Sequence, residues 1–75
     1  MKNVVFLGPA DNYIANSLKK SENISSLFLT EEKISLDMLI QQSPDKIISY
    51  GYRHILGRDI VSFFDRKIIN LHVSY

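Results

Sequence analysis

The sequence predicts an α/β protein, a Rossmann-like open parallel sheet with helices on both faces in the order β-α-β-α-β-α-β. Three observations carry that expectation. Short apolar runs rich in β-branched residues stand at residues 3–7, 46–51 and 67–72, as in strands buried on both faces. The stretches between strands carry apolar residues at helical spacing. The connections are too long for hairpins, which calls for parallel βαβ units with right-handed crossovers. The expected strand order is 2-1-3-4.

Asn3, Val4, Val5, Phe6 and Leu7 form the first strand, ended by Gly8-Pro9. Asp11 or Asn12 can cap a first helix with Tyr13, Ile14 and Leu18 on one side, before Lys19, Lys20 and Ser21 dissolve the pattern. Residues 25–30, with Leu27 and Leu29 on one face, are the second strand. Ser35 can cap a second helix carrying Leu36, Leu39 and Ile40, which Ser43-Pro44 stops. Residues 46–51 repeat the signature of the first strand. Ile60, Val61, Phe63 and Phe64 supply the apolar stripe of a third helix, with both phenylalanines expected in the core, and residues 67–72 are the fourth strand. A parallel strand beginning Ile68-Ile69 normally has neighbours and helical cover beyond it. Residues 1–75 are therefore expected to be the front part of a longer protein.

Composition narrows the function. Seventy-five residues make one small domain at most, and a domain of that size buries only about 60% of its unfolded surface. Nine Lys and Arg against eight Asp and Glu leave a net charge of +1. That is no electrostatic footprint for nucleic acid or an anionic membrane, and a small ligand or a protein partner fits better. The absence of Cys excludes a disulfide scaffold and a thiolate metal site, and a cytoplasmic setting is expected. The first apolar run is too short for a signal peptide, and no run approaches a membrane span.

In open parallel sheets, ligands bind beyond the carboxyl ends of the strands. Asn70 and His72 stand two apart at such an end and share one side of the sheet, with Ile69 and Leu71 on the other. An amide there can stabilise an oxyanion and an imidazole can move a proton, a pairing suited to acyl transfer. From spacing alone the commoner arrangement is plainer, with Asn70 ending the strand and His72 bonded to a loop carbonyl. Residues 51–56, "GYRHIL", pose the same choice. Gly51 can take positive φ or admit a ligand closely, and Tyr52, Arg53 and His54 are either pocket walls or, more commonly, a solvated loop. His54 and His72 have no third ligand at a recognisable spacing, so no metal is expected. Gly8 to Asn12 reads as a turn and helix cap rather than a phosphate loop, since it lacks the patterned glycines of one. Glu31-Glu32-Lys33 reads as a solvated face or loop.

Taken together and in order, "SYGYRHIL", a helix and "KIINLHVSY" resemble the amino-terminal half of the formyltransferases that use 10-formyltetrahydrofolate. The likeness is strongest over residues 46–75 and nearest to sugar-type members. Over residues 1–43 it covers only the βαβ rhythm and the opening "VVFLGP". The resemblance implies that Asn70 binds the formyl oxygen and that His72 acts as general acid or charge stabiliser while the tetrahedral intermediate forms and collapses. It implies that Arg53, His54, Ile55 and Leu56 hold the folate's pterin, largely through backbone groups, with Gly51 and Tyr52 in support. Ser74 matches the serine that follows the family's pair.

Val73 departs from the Pro or Gly of many members, and Tyr75 from the usual Leu. The family's later catalytic Asp is not among these residues, nor is its Leu-Pro-x-x-Arg-Gly segment. The expected function is formyl transfer from 10-formyltetrahydrofolate to a primary amine on a small acceptor such as an amino sugar. The parent is expected to be the enzyme and the 75-residue piece inactive, because a cooperative constellation lacking one member loses most of its catalysis. A formyltetrahydrofolate hydrolase is the alternative within the fold. A non-enzymatic Rossmann-like binding module is the alternative outside it. For the piece alone, self-association through an exposed strand edge is expected.

Overall fold

The computed structural model describes residues 2–71. Strand β1 (Lys2–Leu7) is followed by α1 (Tyr13–Lys20), β2 (Ile24–Thr30), α2 (Leu36–Gln42), β3 (Lys46–Tyr50), α3 (Arg58–Phe63) and β4 (Ile68–Leu71). The four strands form one parallel sheet in the order β2-β1-β3-β4, the expected architecture and strand order. The chain leaves β1 toward β2 on one side and then crosses back to β3 on the other. With right-handed crossovers, that reversal puts α1 on one face and α2 with α3 on the opposite face.

Strand register determines which residues meet. Val5 stands between Phe28 and Ile47, and Ile47 is in turn beside Ile68. Val5, Leu7 and Ile47 pack with Leu39 of α2 and with Ile60 and Phe64 from the α3 segment in one buried cluster. The central strand is the most deeply buried element, with Val4, Val5, Phe6 and Leu7 all enclosed. This explains why it reads as unbroken apolar sequence rather than as an alternation.

Local chemistry sets the element ends. The Asn12 side chain caps α1 by accepting from the Ala15 N–H at 2.9 Å, and its amide nitrogen donates to the Pro9 carbonyl. Ser35 caps α2 by accepting from the Met38 N–H at 3.2 Å, and Ser43 ends that helix in the left-handed region at φ 48°. Below the sheet, Asn3 donates its N–H to the Asp45 carboxylate at 2.8 Å and accepts the Asp45 N–H at 2.7 Å, fixing the entry to β3. Strand β3 stops at Tyr50, one residue earlier than expected, because Gly51 turns away with φ 68°.

Two helical expectations are corrected. In α1 the buried residue is Ala15, while Tyr13 is 72% exposed. A small side chain permits close approach to the sheet, and Tyr13, two positions earlier, is rotated by more than half a turn from it. In the α3 segment Ile60 and Phe64 are buried as expected, but Phe63 is 60% exposed and Val61 is also exposed. One helix has one stripe facing the sheet; Ile60 and Phe64, four apart, occupy it, and their neighbours point aside.

Candidate functional site

The carboxyl ends of β1, β3 and β4 open on one edge of the sheet. There Leu7, Ser49 and Asn70 lie side by side in register on the face covered by α2 and α3. Asn70 is exposed and Ser49 is buried. An amide at the open edge of a sheet, flanked by an enclosed hydroxyl, is placed to donate to a ligand oxygen without giving up a structural bond of the strand.

A cavity of about 480 Å³ lies over this position. Asn70 and Ser49 line its strand side, Tyr52, His54, Ile55 and Leu56 its loop side, and Val61, Phe64, Asp65 and Arg66 its helix side. The volume falls within the usual range for small-molecule sites, and its walls combine apolar side chains with a few polar groups, as such sites do. Ile55 is 94% exposed at the cavity, a large apolar side chain held where a planar ligand could cover it.

A second cavity of about 330 Å³ adjoins the first and shares Tyr52 and His54 with it. It is bordered by Gly8 and Pro9, by Glu31 and Glu32, and by Gly51 and Arg53. The structure therefore brings Asn70, Tyr52, His54, Ile55 and Leu56 to one cavity. Gly51 and Arg53 border its neighbour instead. His72, together with Ser74, lies outside the described residues.

Two close approaches shape the loop between β3 and α3. A β-carbon on Gly8 would come within 1.9 Å of the Tyr50 carbonyl oxygen, so only glycine, here at φ 138°, lets the turn after β1 reach the end of β3. On the other side, the Tyr52 hydroxyl donates to the Glu32 carbonyl at 2.6 Å and accepts from the Ile34 N–H at 3.0 Å. The Tyr52 ring meets the His54 ring edge-on at 5.3 Å. Glu31 and Glu32 are exposed in the loop between β2 and α2, as expected; what sequence reasoning missed is the bond from Tyr52 to the Glu32 backbone carbonyl and the place of Asp65 and Arg66 at the cavity. Nothing in local sequence signals a contact between residues 18 and 20 positions apart. Among the described residues there is no group of three His, Cys, Asp or Glu able to hold a metal ion, and no helix is long and apolar enough to cross a membrane.

No family model matches the chain. Among solved structures, the chain is similar to the formyltransferase PseJ from Anoxybacillus kamchatkensis, determined in complex with UDP-4,6-dideoxy-4-formamido-L-AltNAc and tetrahydrofolate. The identity is 36%, the TM-score is 0.77, and the match covers 96% of this chain. The parallel sheet in the order β2-β1-β3-β4 and that likeness give this segment the fold of the amino-terminal part of a formyltransferase. It spans 37% of the length of the PseJ formyltransferase.

Proposed function

We propose that this chain is the amino-terminal, folate-side part of the catalytic domain of an enzyme that transfers a formyl group from 10-formyltetrahydrofolate to a primary amine on a small acceptor, with an amino sugar as the preferred class. The observation that carries the reading is the cavity in which Asn70 faces the loop residues His54, Ile55 and Leu56. The similarity to a formyltransferase bound to tetrahydrofolate supports it. A chain without cysteine suits a cytoplasmic setting for this reaction.

In this reading the loop residues His54, Ile55 and Leu56 hold the pterin against the apolar wall made by Val61 and Phe64. The folate supplies an activated one-carbon unit at the oxidation level of formate. Asn70 donates its amide N–H to the formyl oxygen, and that bond strengthens as negative charge gathers there during attack by the amine. His72 moves the proton or steadies the charge at the same centre while the bond from the formyl carbon to the folate nitrogen breaks, so that the amine loses a proton and tetrahydrofolate leaves with one. Residues beyond this segment complete the constellation, so the 75 residues alone are inactive.

The test is tetrahydrofolate binding by the full-length protein and by its Asn70→Ala and His72→Ala variants, followed by formyl release with and without amines. Binding retained in the variants with amine-dependent turnover lost supports the reading. Turnover of the wild type without any amine would make it a hydrolase. No folate binding by the wild type would leave a binding module of another kind.

A further inference from the structure

The loop between β3 and α3 has no regular secondary structure over residues 51–57, yet it supplies most of the loop-side wall of the larger cavity. Such a wall binds well only if it is already in place, because ordering it on binding subtracts from affinity. We propose that Tyr52 is the positioning residue for this wall, acting not on the folate but on the loop between β2 and α2. The inference rests on the proposed folate site.

A tyrosine hydroxyl offers one donor and can also accept. Both capacities are committed here, the donor to the Glu32 carbonyl and an acceptor position to the Ile34 N–H. Ile34 is itself buried in the core cluster, and the Tyr52 ring packs against that cluster. The hydroxyl therefore ties an irregular loop to a fixed point in the core. From that point the His54 ring is set edge-on to Tyr52, on the wall that the two cavities share. On the other flank, Gly8 seats the turn after β1 against Tyr50, and a β-carbon built on Gly51 would meet the Pro9 ring at an ordinary contact distance. The start of the loop is thus gripped from both sides, and residues 53–56 project from a defined base. The Tyr52 phenol has no donor left for a ligand.

The experiment compares the wild-type full-length protein with Tyr52→Phe, which keeps the ring and removes the hydroxyl, and with Tyr13→Phe as a control for loss of a phenol elsewhere. Hydrogen exchange at the Ile34 amide, the Kd for tetrahydrofolate, and the kcat and KM for the formyl donor are measured. Tyr52→Phe removes two hydrogen bonds, each worth about two- to tenfold in an equilibrium, and about tenfold is expected for the pair. Expected for Tyr52→Phe are about that acceleration of Ile34 exchange, about that increase in Kd and in donor KM, and a kcat within about twofold of wild type. A Tyr52→Phe protein with unchanged Kd and KM would overturn the proposal. So would one that loses kcat while binding is intact, or one that fails to fold, which would make the hydroxyl a folding determinant. A wild type that binds no tetrahydrofolate would overturn the functional reading itself, a result visible before any variant is compared.

Discussion

Gly8 and Tyr50 approach so closely that the carbonyl oxygen of Tyr50 occupies space a Gly8 side chain would need. The contact joins the ends of β1 and β3, the point where the chain reverses its direction of winding and where sheets of this kind form their binding crevice. Gly8→Ala adds both this collision and the strain of a non-glycine residue at φ 138°. The strain alone is worth about 1–3 kcal/mol. The expected result in the full-length protein is a marked fall in thermal midpoint and displacement of the loop at residues 50–52, with folate affinity lost in parallel. A variant as stable as wild type would show that the turn can move aside freely.

Asn70→Ala removes an amide from an exposed strand position and should leave stability nearly unchanged. Removal of one oxyanion donor typically costs about 10²–10³ in kcat. Steady-state kinetics of the full-length protein should show a loss of that order with little change in donor binding. A loss confined to KM would assign Asn70 to binding alone.

Asn12→Ala should destabilise without touching the chemistry. Its side chain accepts from Ala15 and donates to Pro9, and loss of such a cap costs about 1 kcal/mol. Chemical denaturation of the full-length protein measures this, with Asn12→Ser expected to recover most of it.

Phe63 and Phe64 are neighbours with opposite fates. Phe64→Ala opens a hole in the main cluster and should cost about 3–5 kcal/mol, whereas Phe63→Ser on the exposed side should change stability by about 0.5 kcal/mol or less. Equal effects from the two substitutions would contradict the observed helix orientation.

The 75-residue chain by itself presents β4 as a sheet edge and exposes Val61, Phe63 and Ile69. Such edges and faces favour pairing between copies. Sedimentation should show concentration-dependent association that Phe63→Ser weakens. A strictly monomeric, cooperatively melting chain at high concentration would refute it.

The strands and helices were legible because their signals are local. The apolar run ending at Gly8-Pro9, the Ser35 cap and the Ser43-Pro44 stop each act within a few residues. Helix faces were less legible where apolar residues are adjacent. Phe63-Phe64 offers two candidates for one core position, and only the sheet beneath decides between them. Asn70 stood out through its place at a strand's end, but its partners Ser49 and Ile55 lie 21 and 15 positions away, distances over which local pattern carries no information.

By itself, then, the sequence determined an alternating α/β chain, the glycines and caps that end its elements, and the motif that ties it to the formyltransferases. Tertiary structure decided how the loops meet: Gly8 under Tyr50, the Tyr52 hydroxyl between Glu32 and Ile34, and His54 on the wall of two cavities. The physical reason is that propensity and capping depend on neighbours along the chain. A cavity depends on surfaces that become neighbours only after the parallel strands have paired in register.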